Sequence, residues 1–329
     1  MKKLILIFSF LTCIAVITFS CRKDKKTEEV SKITWTMYTT ADGLVNNDAQ
    51  AIAIDSVGHI WVGTDVGASE FDGVNWKSYA GIGQRVLAIA IDKQGNKWFG
   101  TDSGGVMKLE GNTMSFFKND ANSTNSIVSN HVSSIAIDNQ GNKWFGTASG
   151  VAKFDDVNWV TYNVQDGLAS NNVYSISIDK QGIKWFGTGG GVSKFDGTKW
   201  TNYSYKSDKT KGIVGNFVMG ISIDNQGRKW FATWNGISEF NGTQWIAHDT
   251  ETQWLVAGSP VLSTASDSKG NKWFGSNGWG ISAYDGLTWT TYTTANGSKI
   301  DPVSAIAIDA KGNKWFATRS GLLKLNDGN

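Results

Sequence analysis

The chain has 329 residues, with 31 Lys and Arg against 29 Asp and Glu, and two cysteines. Removing Lys2 and Lys3 with a leader balances the charge (31 − 2 = 29 against 29), so no basic stripe is left for a phosphate backbone and nucleic acid is not an expected partner. Both cysteines, Cys13 and Cys21, lie near the start, so no disulfide is expected to support the folded part, which must rely on a large core.

Met1-Lys2-Lys3 is a basic head, Leu4 to Phe19 is almost wholly apolar, and the chain turns polar from Cys21 in CRKDKKTEEV. A short apolar run ending on a small residue reads as a secretory signal rather than a membrane span. Ser20 followed by Cys21 resembles a bacterial lipoprotein signal. The expectation is a signal peptide over 1–20, lipidation at Cys21 and a polar tether over 21–32. The chain is then exported and held in the bacterial envelope, at the outer membrane, touching the bilayer through its lipid alone.

ITWTMYTT (33–40) is the first strand-like stretch, and a decapeptide then recurs along the chain. DSVGHIWVGT starts at Asp55, DKQGNKWFGT at Asp92, DNQGNKWFGT at Asp138 and DKQGIKWFGT at Asp179. DNQGRKWFAT follows at Asp224, DSKGNKWFGS at Asp267 and DAKGNKWFAT at Asp309. The seven tryptophans are 37 to 46 residues apart, the length of one supersecondary unit. Between Ser175 and Ser204 such a unit shows four strand-length stretches rich in β-branched and aromatic residues, separated by glycine turns. No stretch carries a sustained helical period. The expected fold is all-β: a single seven-bladed β-propeller over 33–329 with four antiparallel strands per blade. The last copy stops after three strands, and ITWTMYTT resembles the fourth strands TKWTNYS and LTWTTYT. An N-terminal strand therefore completes the last blade and removes its open edge.

A catalytic group is needed once, whereas a packing device is needed in every blade, so the repeated Asp and Trp read as scaffold. Asp takes hydrogen bonds from the turn amides, and Gly supplies its positive φ. Trp and Phe alternate toward the two neighbouring blades. The stretch DGLASNNV (166–173), followed by SISIDKQGIKWFGTGGGVSKFDG, resembles the two-component regulator propeller repeat, and such repeats cover nearly all of 33–326. In that family the propellers form the periplasmic sensor half of hybrid histidine kinases, many of them responding to oligosaccharides. The resemblance implies the fold and a ligand class. With one ring and no kinase in the sequence, it does not imply signalling by this chain alone.

Function is expected where the copies disagree. Connections between blades share a face with the turns between second and third strands, and both vary, whereas the Asp-Gly hairpins on the other face hardly do. Of 16 tryptophans, Trp234, Trp254 and Trp279 belong to neither repeated strand position and fall in variable loops. Exposed indoles suit the apolar faces of sugar rings, with Asn235 and Asn277 available for hydroxyls. The alternatives are local packing of these rings or a protein-binding patch. His248 replaces a tyrosine beside them and adds weakly to the cluster, the alternative being a buried, hydrogen-bonded histidine. Before each inner strand runs a polar series, Asn47, Gln84, Asn130, Asn171, Asn216, Ser259 and Asp301, expected to satisfy backbone groups. One residue later stand Asp48, Arg85, His131, Asn172, Phe217, Pro260 and Pro302, of which Arg85 with Asp48 and His131, joined by Arg319, could meet a hydroxylated or anionic ligand.

The expected function is ligand recognition, of a glycan or another extracellular molecule, without a cofactor. A protein-interaction scaffold with an envelope partner is one alternative, and a propeller lyase or glycosidase centred on His131 is another. No metal site is expected: the three histidines are scattered, with His59 in a hairpin on the opposite face. No phosphate loop precedes a helix.

Overall fold

The computed structural model describes residues 34–248, 260–295 and 298–326. Within them lie seven four-stranded antiparallel sheets. Blade one is Ala49–Ile54, Ile60–Thr64, Gly67–Phe71 and Trp76–Tyr79, and blade four is Val173–Ile178, Lys184–Thr188, Gly191–Phe195 and Trp200–Tyr203. Inner strands neighbour one another around a closed circle, with Val303–Ile308 of blade seven returning to Ala49–Ile54. The N-terminal strand Thr34–Tyr38 pairs with the last strand, Gly321–Asn326, in five register positions from Thr34↔Asn326 to Tyr38↔Leu322. The predicted all-β propeller and its closure are therefore what the chain adopts. Among the described residues no helix is long and apolar enough to cross a membrane. The leader, Cys21 and Trp254 lie outside the described residues.

The decapeptide acts as a latch between blades. Asp138 Oδ1 accepts the backbone N–H groups of Gln140 and Asn142, and Gly141 supplies φ 87°. Its Oδ2 accepts the Trp144 indole N–H at 2.9 Å. The same indole-to-aspartate bond recurs in all seven copies, at 2.9–3.3 Å. Trp144 meets Phe186 of the next blade at 6.1 Å between ring centroids, and the equivalent pairs from Trp61–Phe99 to Trp273–Phe316 span 5.9–6.2 Å.

The lysine before six of the seven repeated Trp residues has a matching role that the sequence did not disclose. Lys184 Nζ sits 5.1 Å above the Trp144 ring of the preceding blade and 3.9 Å from Asp138. Six such lysines stack at 4.7–5.3 Å. A desolvated cation over an indole is worth up to about 2 kcal/mol. At the seam from blade seven to blade one, Ile60 and Val62 replace the lysine and phenylalanine and pack on Trp315 instead. The glycine after the Phe has a steric reason: a Cβ at Gly100 would lie 2.7 Å from Val132 of the next blade. Where alanine replaces it, the surroundings are smaller: Ala317 packs with Ala49 in place of a valine, and Ala232, packed with Val261, has Gly220 beside it.

This latch gives acid sensitivity. Burial opposes ionisation of Asp92, Asp138, Asp224 and Asp309, yet the indole, the residue-four side chain and the turn amides outweigh it and hold each carboxyl below its ordinary range. A folded pKa below the unfolded value means the stabilisation is complete above the unfolded value of about 3.9 and is lost as pH falls through the lower folded values. The urea midpoint should therefore hold down to about pH 4 and drop below it, less steeply in Asp138→Asn. A midpoint that stays level from pH 4 to pH 2 would refute the latch.

Each inner strand carries a bulge between its first and third residues, as between Val86 and Ala88. The skipped residue turns to the axis, where Gln50, Leu87, Ser133, Tyr174, Met219, Leu262 and Ser304 line the upper part of a cavity of about 220 Å³. Below them Ile52, Ile89, Ile135, Ile176, Ile221 and Ile306, with Thr264, line it further.

Candidate functional site

The rim of the variable face is built blade by blade from one backbone device. The carbonyls of Asp48, Arg85, His131, Asn172, Phe217 and Pro260 accept the N–H of Asp65, Asp102, Ala148, Gly189, Trp234 and Asn277 respectively, the first residue of each turn between strands two and three. In blades one to five a threonine hydroxyl closes that turn on the carbonyl three or four residues on, as Thr233 does on Gly236 at 2.8 Å. Two variable positions are thus fixed side by side in each of these blades, with Gly189 leaving Asn172 alone in blade four.

The polar series behind the rim does satisfy backbone. Asn47, Asn130, Asn171 and Asn216 accept the N–H groups of Thr40, Asn119, Val164 and Tyr205 at 2.6–3.0 Å. Gln84 and Asp301 instead accept the hydroxyls of Ser103 and Ser320, and Ser259 lies outside the described residues.

Around the rim the chemistry divides. Arg85 Nε bonds Asp65 at 2.8 Å, and His131 Nδ1 lies 2.8 Å from Asp102 Oδ1, so each side chain reaches back to the preceding blade. Of the rim group expected to meet a ligand together, Arg85 bonds Asp65 and Asp48 is held by Gln50, with the charges of Arg85 and Arg319 both acting on Asp48. Burial, then the Asp65 charge, pushes the Asp48 carboxyl upward, against the pull of Arg85 and Arg319. Asp65 and Asp102 were missed in the sequence. They share the turn position of Trp234 and Arg319, and aligning the turns as carefully as the strands would have exposed them.

Blades five and six carry the apolar arc. Trp234 and Phe217 meet edge to face at 5.9 Å while 51% and 48% exposed. Trp279 is 55% exposed, held between Gly278 and Gly280 at positive φ, with its N–H on Ser276 and Lys299 Nζ 5.9 Å above its ring. Asn235 and Asn277 are exposed in the same two turns.

His248 is placed elsewhere. It is 4% exposed, stacks on Trp230 at 5.3 Å and bonds Glu239 at 3.1 Å. That is the stacking place Tyr162 holds on Trp144. Its imidazole faces the interior between blades five and six, packed on Tyr284 and Trp289.

A model of the two-component regulator propeller matches residues 33–66 and 167–190. No curated protein matches the chain. Among solved structures, the extracellular domain of the hybrid two-component system BT3049 of B. thetaiotaomicron superposes with TM-score 0.76 at 23% identity, over 89% of this chain and 41% of that one. Virginiamycin B lyase of Staphylococcus aureus gives TM-score 0.68 at 13% identity, over 89% of this chain and 99% of that one. PorZ of Porphyromonas gingivalis, a surface component of the type-IX secretion system, gives 0.68 at 15%, over 88% and 48%. At these identities the likeness shows the fold alone, and the chain spans about two fifths of the BT3049 domain. The chain is thus a closed seven-bladed propeller in which two stretches match the two-component regulator propeller repeat.

Proposed function

We propose that this propeller is the sensor-like, ligand-binding part of an exported envelope protein, and that it recognises a glycan on the rim. The observation that carries this reading is the exposed Trp234–Phe217 pair of blade five with the exposed Trp279 of blade six, and the polar arc of Asp65, Arg85, Asp102 and His131 on the same rim. Exposed rings stack on pyranose faces without competing for hydroxyls, and the preformed Arg85–Asp65 and His131–Asp102 pairs offer fixed donors and acceptors to those hydroxyls. Export agrees with the apolar leader, and the lipid on Cys21 and placement at the outer membrane belong to the same proposal. The extracellular place of the BT3049 domain supports it by analogy.

A glycan array probed with the full chain tests this. Trp234→Ala and Trp279→Ala should each weaken the bound glycan about tenfold or more, as the loss of a stacking ring does, with the melting temperature unchanged. A blank array, or variants that bind like the parent, would end the glycan reading. A second reading is favoured by the His131–Asp102 pair, since a carboxylate fixing one imidazole nitrogen prepares the other for proton transfer. It requires turnover of the bound molecule, abolished in His131→Ala.

A further inference from the structure

The seven hairpins serve as internal controls for one another, and blade one departs from the rest. Opposite each repeated Trp in the third strand stands Lys108, Lys153, Lys194 or Lys324 in four blades, and Ala283 in a fifth. Those lysines place a cation 5.0–5.7 Å above the indole. In blades one and five the residue is an acid, Glu70 opposite Trp61 and Glu239 opposite Trp230.

Blade five supplies the missing charge permanently. Arg228 bridges Asp224 Oδ2 at 2.8 Å and Glu239 Oε1 at 3.0 Å, with its guanidinium 5.5 Å from the Trp230 ring. In blade one the arginine position holds His59, whose Nδ1 lies 2.8 Å from Glu70 Oε1 and 3.9 Å from Asp55 Oδ2. Two lysines stand close by: Lys97 Nζ lies over the Trp61 ring at 4.7 Å, and Lys77, the strand partner of Glu70, has its Nζ over Tyr79 at 4.9 Å. Two carboxylates therefore face an imidazole where the sister blade has a guanidinium.

We propose that Asp55, His59 and Glu70 bind one divalent transition-metal ion, with Zn²⁺ the best chemical match. One ligand atom from each residue lies within 4.8 Å of the others, close enough for a small adjustment to gather them on one ion. One imidazole nitrogen and two carboxylate oxygens are a borderline donor set that suits Zn²⁺ with water as a further ligand. The ion's two charges neutralise both acids. Each carboxylate is already oriented from behind: the Tyr79 hydroxyl bonds Glu70 Oε2 at 2.8 Å and the Trp61 indole bonds Asp55 Oδ2 at 3.3 Å. Such outer bonds aim metal ligands. The His59 side chain is 33% exposed, so an ion can enter from solvent. The sequence suggested no metal because the third ligand comes from the neighbouring strand, fifteen positions after Asp55 by the count 70 − 55.

Isothermal titration of the metal-free full chain with Zn²⁺ near neutral pH tests the site. The parent should bind one equivalent. His59→Asn, which copies blades two, three, six and seven, should lose that binding, as should His59→Arg, which copies blade five. Tyr79→Phe should weaken it about tenfold. Circular dichroism melts of the metal-free variants report whether the fold is kept, and Zn²⁺ should raise the melting temperature of the parent but of neither His59 variant. No saturable binding by the parent overturns the proposal. Equal binding by His59→Asn or His59→Arg also overturns it, by placing the ion elsewhere.

Discussion

Deleting residues 33–40 should abolish cooperative folding and leave an aggregating chain. The lost strand pairs five positions with Gly321–Asn326 and packs Trp35 and Met37 on the blade-seven core and Tyr38 on the seam with blade one. Ladder bonds worth about 1 kcal/mol each and three partly buried large side chains sum to roughly 5–10 kcal/mol. That equals most of the stability of a typical domain, about 5–15 kcal/mol. The deletion also bares the edge of the final strand, and an uncovered edge recruits other chains. Size-exclusion chromatography and a thermal melt read the outcome. A monomer melting within about 5 °C of the parent would contradict it.

Trp144→Ala should cost about 5 kcal/mol in urea unfolding. The indole is 2% exposed, stacks on Tyr162 at 5.8 Å, meets Phe186 in the next blade and carries Lys184 on its face. Its removal opens a cavity between blades three and four and leaves Asp138 short of one donor. Trp144→Phe keeps most of the volume and loses the N–H, so about 2 kcal/mol is expected there. Trp279→Ala, at the exposed rim, should stay within about 0.5 kcal/mol of the parent. The contrast separates scaffold tryptophans from displayed ones, and a Trp144→Ala cost below about 2 kcal/mol would erase that distinction.

Much of the fold was legible because a repeat states its packing rule several times. Strand ends, the positive-φ glycine of each hairpin and the return of ITWTMYTT to the last blade could all be read from one chain. What could not be read depends on contacts between blades. Lys184 looks like a solvent-facing residue until the preceding blade brings Trp144 beneath it. Likewise the indole hydrogen bond to Asp138 needs the hairpin geometry, because residues six apart are not neighbours along a strand. The rim was half legible. Trp234 and Trp279 stood out as tryptophans beyond the repeat, but Arg85 and His131 found partners in turns of the blade before them. His248 was drawn toward the cluster by proximity in sequence, and the fold turns it inward onto Trp230.

Ring closure is tested most directly by a cross-link between the two ends. Thr36 and Lys324 are partners across the closing ladder. With both changed to cysteine, mild oxidation of the purified full chain should join the peptide around 36 to the peptide around 324 within one molecule, seen by mass spectrometry after proteolysis. Failure to form that link, or links formed only between molecules, would contradict a propeller closed by its own N-terminal strand.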